Sequence, residues 1–277
     1  VRSSNLISRF NLPIMMSHIQ RLFAALVVCI GLVTLASVAA CGSSSARTTG
    51  TVVLVHGAWA DGSSWSSVTR VLQARGLKVV AVQLARTSLA DDAATVSRTI
   101  DAQQGPVLLV GHSYGGAVIT QAGSVSKVVG LVYVSAFAPG DNQSISDLTS
   151  PFPKPAWQTG LVVDEAGFLT LNTETYLSSF APDLPKDTSS VLAASQGPLN
   201  ARCLTDKVSQ AAWKSKPSWW IYGDQDQIIP AALQQAEAKE IGARTTSIVG
   251  ASHVALMSHP DAVGAAIINA AQATGVL

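Results

Sequence analysis

Cysteine and charge are both scarce in this sequence, and each scarcity removes a class of protein. Only three cysteines occur in 277 residues, at 29, 41 and 203. The first two belong to an N-terminal stretch taken up below, so Cys203 is alone in the remainder. No internal disulfide is expected there, and an apolar core must hold the fold. Charged residues make up 13% of the chain, 18 Lys and Arg against 17 Asp and Glu. With no basic cluster among them, nucleic acid is not an expected partner. Two phosphate-binding signatures are also missing. Gly111 and Gly116 have the glycine spacing of G-x-x-x-x-G-K-[ST], but Ala117 stands where the lysine must be. Position 113 is Ser rather than the second glycine of G-x-G-x-x-G, so a dinucleotide turn fails as well.

Apolar residues, by contrast, reach 48%. A chain of this length with that composition can bury one large core and form a single α/β domain. Part of the excess lies in "RLFAALVVCIGLVTLASVAAC", Arg21 to Cys41, which carries no acidic residue and ends in small ones. The pattern predicts an export signal over residues 1–41, with an uncleaved membrane anchor as the alternative for an apolar run of about 20. "VAAC" at 38–41 is similar to the lipobox of bacterial lipoproteins, which makes Cys41 a candidate for lipidation and for membrane attachment through an N-terminal lipid. Ordinary cleavage after Ala40 fits the same residues. The expectation is an exported protein, either a membrane-anchored lipoprotein or a secreted or periplasmic one. Loss of residues 1–41 removes three arginines and no acid, taking the formal charge from +1 to −2. Residues 42–50, "GSSSARTTG", read as a flexible linker.

From Thr51 onward, short apolar runs alternate with amphipathic stretches. "TVVLVHG", "LKVVAVQL", "PVLLVGH", "KVVGLVYVSAF", "SWWIYG" and "TTSIVG" are rich in β-branched or aromatic residues and end in glycine or a polar residue. They read as six strands of a mainly parallel sheet buried on both faces. Helices are expected at about 63–75, 90–103, 114–123, 230–241 and 260–274, with Pro230 and Pro260 near helix starts, where a missing N–H is tolerated. Strand–helix alternation implies right-handed crossovers and helices on both faces. Residues from about 140 to 215 break the rhythm. An unstructured loop of that length is implausible inside a domain, so a helical cap is expected, with Phe152, Trp157, Phe168, Tyr176, Phe180 and Trp213 supplying its apolar surface.

With the glycine-loop readings gone, Gly111-His112-Ser113-Tyr114-Gly115 remains as G-x-S-x-G between a buried strand and a helix. A sharp reversal there would hold Ser113 in a strained backbone conformation and raise its hydroxyl above the carboxyl edge of the sheet. A serine hydroxyl needs a base, and the base an orienting acid. The acid should follow a later strand and the histidine the last one. "YGDQDQIIP" supplies Asp224 and Asp226, and "GASHVALM" supplies His253. Asp226 is preferred, because Asp224 directly follows Gly223 and suits a turn cap. Four other histidines have plainer roles. His18 lies in the leader, and His56 ends the first strand at a glycine turn. His112 adjoins Ser113 and is expected to point away from it, and His259 opens a helix at Pro260. For an oxyanion, the donors expected are the amides of Tyr114, at the helix N-terminus, and Ala58, in "HGAWADGSSW". Trp59 is the alternative donor. Trp59 and Trp65 are candidate substrate contacts as well as candidate packing residues. No metal and no cofactor are called for.

In these motifs, taken in this order, the sequence resembles the α/β-hydrolase superfamily from about Thr51 to the C-terminus. It looks most like the small esterases that include plant methylesterases and hydroxynitrile lyases. The resemblance implies a serine hydrolase that cleaves a small, mostly uncharged carboxylic ester through an acyl-enzyme. Val254 occupies the place of the lysine that follows the catalytic histidine in the lyases, and Gly57 replaces a threonine, which disfavours cyanohydrin cleavage. A cofactor-free perhydrolase or a C–C bond hydrolase would use the same triad, and a non-catalytic tethered binding protein would keep only the fold.

Overall fold

Six of the apolar runs pair into one parallel sheet in a computed structural model that describes residues 50–277; the leader, Cys41 and all but the last residue of the 42–50 linker lie outside the described residues. The strands and longer helices run, in chain order, β1 (Thr51–Val55), α1 (Ser66–Ala74), β2 (Lys78–Ala81), α2 (Leu89–Asp101), β3 (Val107–Ser113), α3 (Tyr114–Ala122) and β4 (Val128–Ala136). There follow β5 (Leu161–Val163), β6 (Phe168–Leu171), α4 (Lys186–Ser195), β7 (Leu199–Asn200), β8 (Ser218–Gly223), α5 (Ala231–Glu240), β9 (Arg244–Ile248) and α6 (Pro260–Ala273). Every helix expected from the apolar pattern is present within a residue or two, the first of them opening as a single 3₁₀ turn at Gly62–Trp65.

The sheet order is β2-β1-β3-β4-β8-β9, all parallel. The chain first steps outward from β1 to β2 and then returns past β1 to β3. Right-handed crossovers therefore place α1 and α2 on opposite faces, where α1 packs with α6 and α2 with α3. This reversal makes the gap between the carboxyl ends of β1 and β3 the topological switch point, the crevice where open α/β sheets hold ligands. β1 and β3 are buried along their whole length. The two edge strands depart from the expected two-sided burial: β9, "RTTSI", is exposed except at Ile248, and β2 is only half covered, because nothing packs outside an edge.

The insertion between β4 and β8 has helices, as expected, and in addition a three-stranded antiparallel sheet, β5-β6-β7. Its strands are two to four residues long, too short for alternation to be legible in the sequence. A π-turn at Tyr176–Phe180 and α4 pack on one another and on the mouth of the switch-point crevice. Indole and guanidinium groups fasten this cap to the core. Trp59 Nε1 donates to the Leu169 carbonyl at 3.0 Å, and Trp157 Nε1 to that of Ile228 at 3.0 Å. Arg86 bridges the carbonyls of Ala60 and Pro198.

Candidate active site

Ser113 ends the central strand at φ 53°, ψ −124°, a left-handed conformation that a non-glycine residue adopts only when its surroundings impose it. Those surroundings are backbone. A Cβ on Gly111 would lie 2.5 Å from the Gly115 carbonyl oxygen, and one on Gly115 would lie 2.6 Å from that of Val55. The flanking glycines are thus required by close approach of α3 to β1 and to its own strand. Ser113 keeps 5% exposure at the switch point.

Of the two acids after β8, Asp226 is the one that reaches the histidine: its Oδ2 accepts from His253 Nδ1 at 2.9 Å, with both side chains fully buried. Asp224 instead caps the neighbouring turn, accepting from the Gly250 amide at 2.8 Å. The Asp226 carboxylate is held by three further donors, the amides of Ile228 (2.8 Å) and Ile229 (3.0 Å) and the side-chain amide of Gln234 (2.9 Å). Four donors to one carboxylate fix its orientation. With Nδ1–H committed to Asp226, the lone pair of His253 lies on Nε2, which has no hydrogen-bond partner among the described residues. No hydrogen bond joins it to the Ser113 hydroxyl.

The amide of Tyr114 is the first of α3 and has no intrahelical acceptor. That of Ala58 makes no backbone hydrogen bond among the described residues. Ala58 and Trp59 follow β1 across the crevice from Ser113, and Trp59 is strained at φ 56°, held by its indole bond to Leu169 and by the Tyr176 hydroxyl donating to its carbonyl at 3.3 Å. Close packing continues at Gly57, where a Cβ would sit 2.6 Å from Ser113 Cβ. His56 is neutral and structural: the Leu84 amide donates to its Nε2 at 3.0 Å and its Nδ1–H donates to the Gly57 carbonyl at 2.8 Å, while burial lowers its pKa to about 4.

His112 packs against the histidine of this cluster. Its ring lies 4.8 Å from that of His253, and its Nε2–H donates to the His253 carbonyl at 3.0 Å, with burial, and then the neighbouring His253, holding its pKa well below the usual histidine value. Trp65 has no exposed surface and packs edge-on against His112, with ring centroids 6.3 Å apart, so it is a core residue and not a substrate contact. Trp59, in contrast, lines a narrow cleft of about 20 Å³, together with Tyr176, Phe180 and Leu192 and a polar rim at Asp61 and Ser63.

A sequence profile of the alpha/beta hydrolase family matches residues 52–266, which contain every residue of this cluster. The chain belongs to the alpha/beta hydrolase family. As a member of it, the protein is a hydrolase with relatives among esterases. It is 28% identical to the carbendazim hydrolyzing esterase of Nocardioides sp. over 166 residues, 55% of this chain and 67% of that one. The pyrethroid hydrolase of Sphingobium faniae JZ-2 has the same fold, with a TM-score of 0.69 at 21% identity over 82% of this chain and 99% of that one. Polyneuridine aldehyde esterase superposes with a TM-score of 0.71 at 18% identity, over 80% of this chain and 99% of that one. Within this hydrolase, sequence reasoning missed Gln234. The helix "AALQQAEAKE" has no clear apolar face, so nothing in it marks one glutamine as fully buried.

Proposed function

We propose that the protein is a serine esterase that cleaves small, mostly uncharged carboxylic esters through an acyl-enzyme on Ser113. The observation that carries this reading is the His253–Asp226 pair: an imidazole held by a fully bonded carboxylate, with a free Nε2, in the crevice that the strained Ser113 turn also enters. In the reaction, Nε2 takes the Ser113 proton as Oγ attacks the ester carbonyl, and the imidazolium is stabilised by Asp226. The Tyr114 and Ala58 amides receive the oxyanion, the proton passes to the departing alkoxide, and water repeats the sequence to free the acid.

The aromatic wall of Trp59, Tyr176 and Phe180 favours apolar or aromatic substituents, and Asp61 at the rim disfavours anionic ones. The names of the carbendazim and pyrethroid relatives fit that substrate class. The reading also includes export, with residues 1–41 as the signal and either lipidation at Cys41 or simple cleavage after Ala40; the mass of the mature N-terminus distinguishes the two. For the chemistry, a fluorophosphonate probe should label folded protein at Ser113, and Ser113→Ala should lower p-nitrophenyl butyrate turnover by about 10⁴-fold or more with an unchanged melting temperature. An unlabelled Ser113 would reject the nucleophile.

A further inference from the structure

One carboxylate of the cap is bonded to the residue beside His253. Asp183 lies between the Tyr176–Phe180 turn and α4. Its Oδ2 accepts from the Ser252 amide at 2.8 Å, and its Oδ1 from the Ser252 hydroxyl. The same hydroxyl oxygen accepts from the Val254 amide at 3.3 Å. Residues on both sides of His253 are therefore tied through one buried serine to the cap. On the core side, the His253 carbonyl is held by His112. Phe180, three residues before Asp183, meets the imidazole edge to face at a ring-centroid distance of 5.2 Å, so one cap segment both touches His253 and anchors its loop. His259 Nδ1 is 4.0 Å from Asp183 Oδ2, too far for a hydrogen bond, and it is bonded instead to the Ser258 hydroxyl at 2.9 Å.

We propose that Asp183 is a positioning residue: through Ser252 it fixes the 252–254 backbone and with it the approach of the His253 ring to Ser113. The proposal rests on the reading of Ser113 as nucleophile and His253 as base. Misplacing a catalytic group by a fraction of an ångström is enough to slow the chemistry while leaving substrate binding intact.

The test uses the full chain with Asp183→Ala, Ser252→Ala, the double variant, and the isosteric Asp183→Asn in case truncation prevents folding. Turnover of p-nitrophenyl butyrate, the rate of fluorophosphonate labelling at Ser113 and the melting temperature are measured for each. Each single alanine variant should lower kcat and the labelling rate by about tenfold with KM within about twofold. The double variant should be no slower than the worse single one, because both act through one contact. Asp183→Asn, which keeps one acceptor, should fall between Asp183→Ala and wild type. A folded Asp183 variant labelled at the wild-type rate would overturn the proposal and leave the nucleophile standing. So would a loss confined to KM, or one seen only near the melting temperature. Wild-type protein that is not labelled would overturn the nucleophile reading, and the proposal with it.

Discussion

Gln234 illustrates how much of the candidate site depends on a single side chain that carries no chemistry itself. It donates to Asp226 and to the Ile229 carbonyl, and accepts from Trp220 Nε1 at 3.2 Å, all without solvent contact. Gln234→Leu removes one of the carboxylate's donors and leaves two buried polar groups short of a partner. It should destabilise the protein by about 1–3 kcal/mol in chemical denaturation. It should also lower kcat more than it raises KM, since it acts on the orientation of His253 through Asp226. Ser113, Asp226 and His253 were legible in the sequence because each sits at a strand end next to turn residues. Gln234, Ser252 and Asp183 were not, because their partners lie 8, 69 and 69 positions away with no motif to link them.

The strand–turn–helix of β3 and α3 is the element that determines where the hydroxyl stands, and its glycines should tolerate nothing larger. Gly115→Ala drives a methyl group against the Val55 and His56 carbonyl oxygens, both closer than 3.0 Å and both backbone, so neither can swing aside. A loss of about 3 kcal/mol or more is expected, read as a lower denaturation midpoint or as insoluble protein. The motif was legible at this scale because its geometry forbids other residues. The cap was only half legible. Its helices and aromatic residues were expected, but strands of two to four residues form there by pairing with one another rather than by local pattern.

At the scale of the whole molecule, buried ionisable groups set how stability depends on pH. Glu237 on α5 is 3% exposed; its Oε2 accepts from the Ala138 amide at 2.7 Å, its Oε1 has no partner, and burial raises its pKa to about 8. The folded state therefore holds a proton that the unfolded chain releases above about pH 4.5, so this contribution is complete below about pH 4.5, falls progressively as pH rises and is fully lost above about 8. His56, with a folded pKa of about 4 against 6.5, acts in the opposite sense: its contribution is present above 6.5 and is lost as pH falls towards 4, and His112 works in the same direction. Thermal denaturation should show the melting temperature falling from about pH 6.5, above the histidine window, to about pH 8 and levelling off beyond it. Glu237→Gln, which keeps the acceptor for Ala138 without the charge, should remove most of that fall, roughly 1.4 kcal/mol for each pH unit within the window. An alkaline fall of the same size in the variant would show that another group is responsible.

By itself the sequence determined the strand–helix order and the parallel sheet, and it marked a serine, an acid and a histidine after strands as candidates, because local periodicity and close backbone approach act over neighbouring residues and leave a pattern in them. Only the tertiary structure decided that His112 packs against His253, that Trp65 is core, and that a carboxylate of the cap holds the histidine loop. Those are contacts between segments distant in the chain, and the free energy of burying one segment on another is written in neither of them alone.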